Sequence, residues 1–379
     1  MKTIGQSEVM RSIFTVNLGV KESELALVIT DIAGPDDVAR TMHADLLKWS
    51  ELNDIAREAA EVGSEVCRTR YVEYPSVREH GHEPPAEVWE AAFGSEAVSA
   101  LKLGGLLTRI IDKQAAGDDL AKTQSIIEAK AKAPDAVVAL TNYSTSHTRF
   151  RDFLTRCCNT RYASMPLFEK SMLSGSMTAD WKEVEARTMR LVGLMKDADM
   201  VFITSHNGTS ISFSVKGRDA RPDTGIITGP GAFSNLPAGE AFLAPVEGTA
   251  EGILVLEGAP AGRLSQHVTL EVRRGTVSTV AGMDAFADDL REKIAINPLV
   301  GNIAELGIGT NDKASRPDNI LETEKILGTV HIALGDNSSF GGKVSVPFHQ
   351  DFIFYRPTLE IINSRGEKIE VLVEGVPRF

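Results

Sequence analysis

Residues 199–218 read DMVFITSHNGTSISFSVKGR, and two periodicities meet in them. DMVFIT is a continuous apolar run of strand length, whereas SISFSVKGR alternates Ile211, Phe213 and Val215 with polar residues. Upstream, the runs ALVIT (26–30), EVCRTRYV (65–72) and AVVALT (136–141) alternate with long segments such as ADWKEVEARTMRLVGLMKDA (179–198), whose apolar residues fall at helical spacing. That alternation predicts an α/β N-terminal domain with a largely parallel sheet over residues 1–205. Downstream, strands follow one another with only turns between them. VTLEVRRGTVSTVAG folds back at Arg274-Gly275 and PTLEIINSRGEKIEVLVEG at Arg365-Gly366, with one helix near 284–295. Residues 206–379 are therefore expected to form a mainly antiparallel α+β C-terminal domain.

The bulk numbers agree with two domains. At 379 residues the chain exceeds one typical core, and 42% hydrophobic with 24% charged residues is the balance of an ordinary soluble globular protein. The net charge of −12 is spread without a basic block, so neither nucleic acid nor an anionic membrane is expected as a partner. The start, MKTIGQSEVMRSIF, lacks the basic segment and long apolar run of a signal peptide, which leads to an expectation of cytoplasmic localisation. Cys67, Cys157 and Cys158 give neither a disulfide framework nor a CxxC spacing and read as reduced packing thiols.

Candidate chemistry concentrates in the second half. HIALGDNSSFGGKVSVPFHQD (331–351) has His331 on one apparent strand, a glycine-rich return, and His349-Gln350-Asp351 on the next. An extended backbone turns His349 and Asp351 to the same side, and the hairpin lays His331 beside them. Glu240, just after a Pro-Ala-Gly turn, and Glu305, among Ala, Leu, Ile and Gly, are carboxylates in apolar settings that require pairing or a cation. Two histidines with three carboxylates suit two divalent ions with a bridging carboxylate. A single ferrous ion would need only His331, His349 and Asp351. Structural ion pairs also account for such residues, so on the residues alone both readings stay open. His80-Gly81-His82 reads as a surface loop, Ser205-His206-Asn207 lacks a nucleophile elbow, and the glycines form no nucleotide-binding motif.

NLPAGEAFLAP (235–245), AELGIGTN (304–311), EKILGTVHIALG (324–335) and HQDFI (349–353) resemble, in order and spacing, the thermophilic metallo-aminopeptidases of the aminopeptidase T and aminopeptidase S type. NTRYASMP (159–166) and GTSISFSVKGR (208–218) extend the likeness more loosely. The resemblance implies a homodimeric exopeptidase cleaving an N-terminal peptide bond or small amide by metal-activated water. It implies two divalent ions (cobalt, zinc or manganese) on Glu240, Glu305, His331, His349 and Asp351, with Glu305 the first choice as bridge. One position departs: seven residues after the histidine these enzymes carry a tyrosine, and Ser338 stands there as the candidate replacement in the catalytic site. The loop GDNSSFGGK (335–343) instead resembles that of the 2,5-dihydroxypyridine 5,6-dioxygenases, which open a pyridine ring with one Fe(II). Those enzymes keep the His-x-Asp edge, place a histidine at the position of Glu305 and lack the acid matching Glu240. Retention of both acids and His331 favours the hydrolase, with Fe(II) ring cleavage as the alternative.

Overall fold

The computed structural model describes residues 5–259 and 262–379, and its N-terminal region is built on a parallel five-stranded sheet. The strands are β1 (Leu25–Ile32), β2 (Arg68–Pro75), β3 (Ala136–Ala139), β4 (Arg161–Ser164) and, from much later in the chain, β8 (Phe233–Asn235), in the order β2-β1-β3-β4-β8. Parallel neighbours need long crossovers, and helices supply them: His43–Ser64 between β1 and β2, and Arg149–Cys158 between β3 and β4. Leu27, Ile29, Val137 and Tyr162 pack with Trp89, Phe93, Phe150 and Phe153 in the core of this unit. The buried carboxylate of Glu83 accepts from the backbone N–H groups of Arg149 and Phe150, at 2.5 and 2.9 Å, and so closes the start of the second crossover helix.

Two antiparallel sheets make the second unit. The larger contains β5 (Ala198–Thr204), β6 (Ser210–Ser214), β10 (Glu251–Ala259), β11 (Gly262–Arg273), β12 (Thr276–Ala281), β16 (Thr358–Asn363), β17 (Lys368–Val373) and β18 (Val376–Pro377), ordered β12-β11-β10-β6-β5-β16-β17-β18. The smaller contains β7 (Arg221–Asp223), β9 (Glu240–Leu243), β13 (Ile303–Gly309), β14 (Val330–Gly335) and β15 (His349–Phe354), ordered β15-β14-β13-β9-β7. Ile203, Phe213, Leu254, Leu270 and Ile361 of the larger sheet share one core with Leu243, Leu306, Ile308, Ile332, Leu334 and Phe352 of the smaller. The turn at Arg274-Gly275 holds both residues at positive φ, 49° and 80°, which suits a tight hairpin between β11 and β12.

The boundary expected after residue 205 lies inside the second unit. Residues up to Trp181 with Gly225–Pro237 form one unit, and Lys182–Thr224 with Ala238–Phe379 the other. Residues 199–214 form a hairpin within one sheet: β5 runs antiparallel to β6, with Met200 opposite Ser214 and Thr204 opposite Ser210, and β16 pairs on its other side. DMVFIT is therefore an interior antiparallel strand, not a parallel one. Val201 and Ile203 enter the core while Met200 and Phe202 are half-buried on the opposite face, so its apolar run reflects cover on both faces and the change of period marks two strand environments within one sheet. The second parallel run, expected at 65–72, lies at Arg68–Pro75. The helix expected at 179–198 is Trp181–Lys196, and the one near 284–295 is Ala285–Ile296. All three cysteines are free thiols, and among the described residues no helix is long and apolar enough to cross a membrane.

Phe213 is wholly buried between the two sheets. Phe213→Ala should cost about 3–5 kcal/mol of unfolding free energy. Chemical denaturation measures this, and a change within about 0.5 kcal/mol, the range of an ordinary surface substitution, would contradict the shared core.

Candidate metal centre

Cross-strand partners share a face of a sheet, so the register of the smaller sheet decides which side chains meet. Glu240 lies opposite Gly309, and Phe242 opposite Gly307. Gly307 in turn lies opposite His331, and Glu305 opposite Ala333. On the last pair, Ala333 lies opposite Asp351, and Gly335 opposite His349. Glu240, Glu305, His331, His349 and Asp351 thus project from one face, while Leu243, Leu306, Ile308, Ile332, Leu334 and Phe352 enter the core from the other. The intervening positions are glycine or alanine, and at Gly307 that is a requirement: a Cβ there would sit 1.9 Å from Nε2 of His331. The expected hairpin exists, but His331 faces Ile353 rather than Asp351, so the ligand candidates run diagonally and Glu305 of β13 fills the middle.

Contacts link the five in a chain. His331 Nε2 lies 3.4 Å from Glu240 Oε2 and 3.6 Å from Glu305 Oε1, and His349 Nε2 lies 3.3 Å from Glu305 Oε2 and 3.7 Å from Asp351 Oδ2. Glu305, His349 and Asp351 each bring one donor atom to within 4.8 Å of the others, a spacing that one divalent ion can draw together. The His331 side chain is 1% exposed and that of His349 33%, so the site opens at the His349 end. His349 Nδ1 lies 2.8 Å from the carbonyl oxygen of Asp336, which favours the proton on Nδ1 and leaves Nε2 toward the carboxylates. Glu240 Oε2 and His331 Nδ1 are buried without a hydrogen-bond partner. Orphaned polar atoms beside such a donor set fit a cation.

Two residues outside the expected set complete the site. Lys325, with its side chain 1% exposed, donates from Nζ to Glu240 Oε1 at 2.6 Å and to Glu324 Oε2 at 3.1 Å. Neither spacing nor period marks them in EKILG, because a Glu-Lys pair before a strand reads as solvated surface. Burial works against the Lys325 ammonium, yet Glu240, Glu324 and Asp223 together hold its pKa well above the ordinary lysine value. Burial raises Glu324 to about 7 despite Lys325, with Asp351 adding to the rise. Asp351 is raised as well, by burial and by Glu305, against the pull of His349. Burial opposes ionisation of Glu305, but hydrogen bonds from His331 and His349 bring it down to about 2. The same contacts, overcoming burial, raise His331 to about 9 and His349 to about 10.

An aromatic wall stands beside the donors. Phe242 and Phe340 meet edge to face with centroids 5.8 Å apart, and the Phe340 ring meets that of His349 at 5.9 Å. The loop carrying Phe340 is tied down by Arg221, which donates to the Ser339 carbonyl at 3.0 Å, and by Arg218, which donates to the Gly341 carbonyl. Glu247 accepts from Asn337 and from the Lys343 backbone at 3.1 and 2.7 Å. Ser338, the candidate catalytic hydroxyl, is exposed and donates to both oxygens of Asp336 at 3.0 and 3.2 Å. Its hydroxyl is thus committed to its own turn. His80 accepts from the Ser144 backbone and His82 pairs with Glu79 on a surface loop, while His206 is exposed beside Glu374.

Gly307→Ala displaces the His331 imidazole and should weaken cobalt binding about 10–100-fold, the cost usual for disturbing a residue that orients a ligand; isothermal titration with unchanged affinity would contradict it. In metal-free protein, the raised histidine pKa values contribute stability fully present below about pH 6.5 and lost as the pH climbs through about 9 and about 10. A bound ion requires neutral imidazoles and reverses that trend. Melting temperature should therefore fall with pH in chelator and rise with pH under cobalt; parallel curves would contradict the assignment.

With the site in view, the likeness to known proteins is specific. The family model for 2,5-dihydroxypyridine 5,6-dioxygenase matches residues 110–365. A 2,5-dihydroxypyridine 5,6-dioxygenase of Pseudomonas putida KT2440 is 26% identical over 181 residues, 44% of this chain and 51% of the relative, so the chain spans about half the length of the curated relative it matches. Among solved structures, 2,5-dihydroxypyridine dioxygenase from the same organism superposes with a TM-score of 0.65 at 18% identity, covering 99% of this chain and 98% of that one. Wild-type AmpT, an aminopeptidase T, from Thermus thermophilus superposes with a TM-score of 0.58 at 13% identity, covering 99% of each chain. Both solved neighbours are enzymes, and at these identities they show a shared fold. Because the family model covers well over half of the sequence, the chain belongs to the 2,5-dihydroxypyridine 5,6-dioxygenase family.

Proposed function

We propose that this chain is a metal-dependent enzyme that holds a divalent ion on Glu305, His349 and Asp351 and, with iron, opens a hydroxylated pyridine-like ring using dioxygen. The observation that carries the reading is the flank of that donor group: Phe340 packs against both His349 and Phe242, giving a flat aromatic substrate an apolar wall beside the ligands. Family membership supports the same chemistry. Glu305, His349 and Asp351 would hold ferrous iron, which would supply the one-electron chemistry that dioxygen needs to react with a hydroxylated ring.

The protein's own groups have separable roles. Glu305 and Asp351 provide two negative charges against a divalent ion, and Asp336 fixes the orientation of His349. His331, buried between Glu240 and Glu305, is placed to hold or pass a proton at Nε2. Phe242 and Phe340 exclude water from one side. In this arrangement Glu305 takes the third position that a facial set of His331, His349 and Asp351 would assign to His331.

A second reading, hydrolysis of a small peptide or amide with two ions (cobalt, zinc or manganese), is favoured by Glu240 Oε2 and His331. These donors lie 3.4 Å apart, and the Glu240 oxygen has no hydrogen bond. Fold similarity to AmpT supports it. One pair of assays separates the two. Protein loaded anaerobically with Fe(II) should consume oxygen with 2,5-dihydroxypyridine, and protein loaded with cobalt, zinc or manganese should leave leucyl and alanyl anilides intact. Anilide turnover without oxygen uptake would replace the first reading by the second.

A further inference from the structure

The end of the site near Glu240 already contains a cation. Lys325 Nζ contacts Glu240 Oε1 at 2.6 Å and Glu324 Oε2 at 3.1 Å with its side chain 1% exposed. The register places Asp223 of β7 opposite Glu240, which adds a third carboxylate on the same side. The lysine backbone is fixed too: its N–H donates to the Glu322 carbonyl at 3.0 Å, and its carbonyl accepts from Asn311 at 2.8 Å, just beyond the strand that carries Glu305. At the other end, Glu305, His349 and Asp351 gather their donor atoms, and among the described residues no lysine or arginine pairs with any of the three.

We infer that Lys325 is a built-in cation standing where a second divalent ion would bind, so that the centre accepts one ion at the Glu305 end. The inference rests on the metal centre proposed above and sets its stoichiometry. A buried ammonium neutralises one carboxylate fully, needs no loading, and repels a second divalent ion a few ångströms away. Glu240 then serves as the partner of Lys325 through Oε1 and as a neighbour of His331 through Oε2, and is not an ion ligand in the native chain. Removing the ammonium leaves Glu240 and Glu324 with uncompensated charge, and a divalent ion is the natural replacement.

The test counts ions by elemental analysis after dialysis against excess cobalt, with circular dichroism to confirm folding. The wild type should hold one cobalt per chain, Lys325→Met two, and Lys325→Met with Glu240→Gln one again. If Lys325→Met folds only when cobalt is present, that dependence also supports the inference, because the ion has replaced the ammonium. Two cobalt ions in the wild type, one in folded Lys325→Met, or a Lys325→Met that cobalt cannot refold would each overturn it. No cobalt in the wild type would remove the metal centre itself, and the inference with it, which distinguishes that failure from the others.

Discussion

Four carboxylates, Glu240, Glu305, Glu324 and Asp351, converge on one side of a small antiparallel sheet, where water reaches only part of the group. Like charges held this close cannot all remain ionised without cations among them. The rest of the site follows from how that requirement is met. Lys325 answers it at the Glu240 end, the two imidazoles answer it in the metal-free state, and in the proposed centre a divalent ion would answer it at the Glu305 end. The opposed shifts of Glu305, to about 2, and of His331 and His349, to about 9 and about 10, express that demand in the absence of an ion.

Such a cluster survives only on a rigid support. The reverse face of the sheet supplies one, because Leu306, Ile308, Ile332, Leu334 and Phe352 share a core with the eight-stranded sheet. On the functional face the small residues are equally necessary, since His331 occupies the space that any side chain at residue 307 would need. Asn311 fixes the turn before Glu240 by donating to the Ala238 carbonyl at 2.9 Å, and Arg218 and Arg221 hold the loop that carries Phe340. The ligand candidates are thus placed by strand register and the aromatic wall by loop anchoring. Changes in the loop can therefore alter the substrate without moving the donors.

Glu305 and the His-x-Asp edge are legible in the sequence because period-two alternation puts alternating residues on one face, and because a carboxylate between apolar residues has to be explained. The parallel sheet is legible for a different reason, because ALVIT and AVVALT are unbroken apolar runs of strand length set between segments of helical period. Lys325 is not legible, since the burial of a lysine depends on partners 85 residues away at Glu240. The domain boundary misleads because β5, an antiparallel strand covered at least in part on both faces, is as apolar as a parallel one. β8, three residues long, carries no period at all, and only its pairing with β4 reveals it. Ser338 stands at the position where the resemblance calls for a tyrosine, but its reach ends at Asp336. Sequence position alone does not give a side chain's reach.

One ion, bound at the Glu305 end, would complete a site whose other end Lys325 already neutralises. Anomalous diffraction at the cobalt edge, from crystals of the wild-type chain soaked in cobalt, counts and places the ions. A single peak is expected within bonding distance of Glu305, His349 and Asp351, with Lys325 still against Glu240. A second peak bonded to Glu240 and His331 would contradict it.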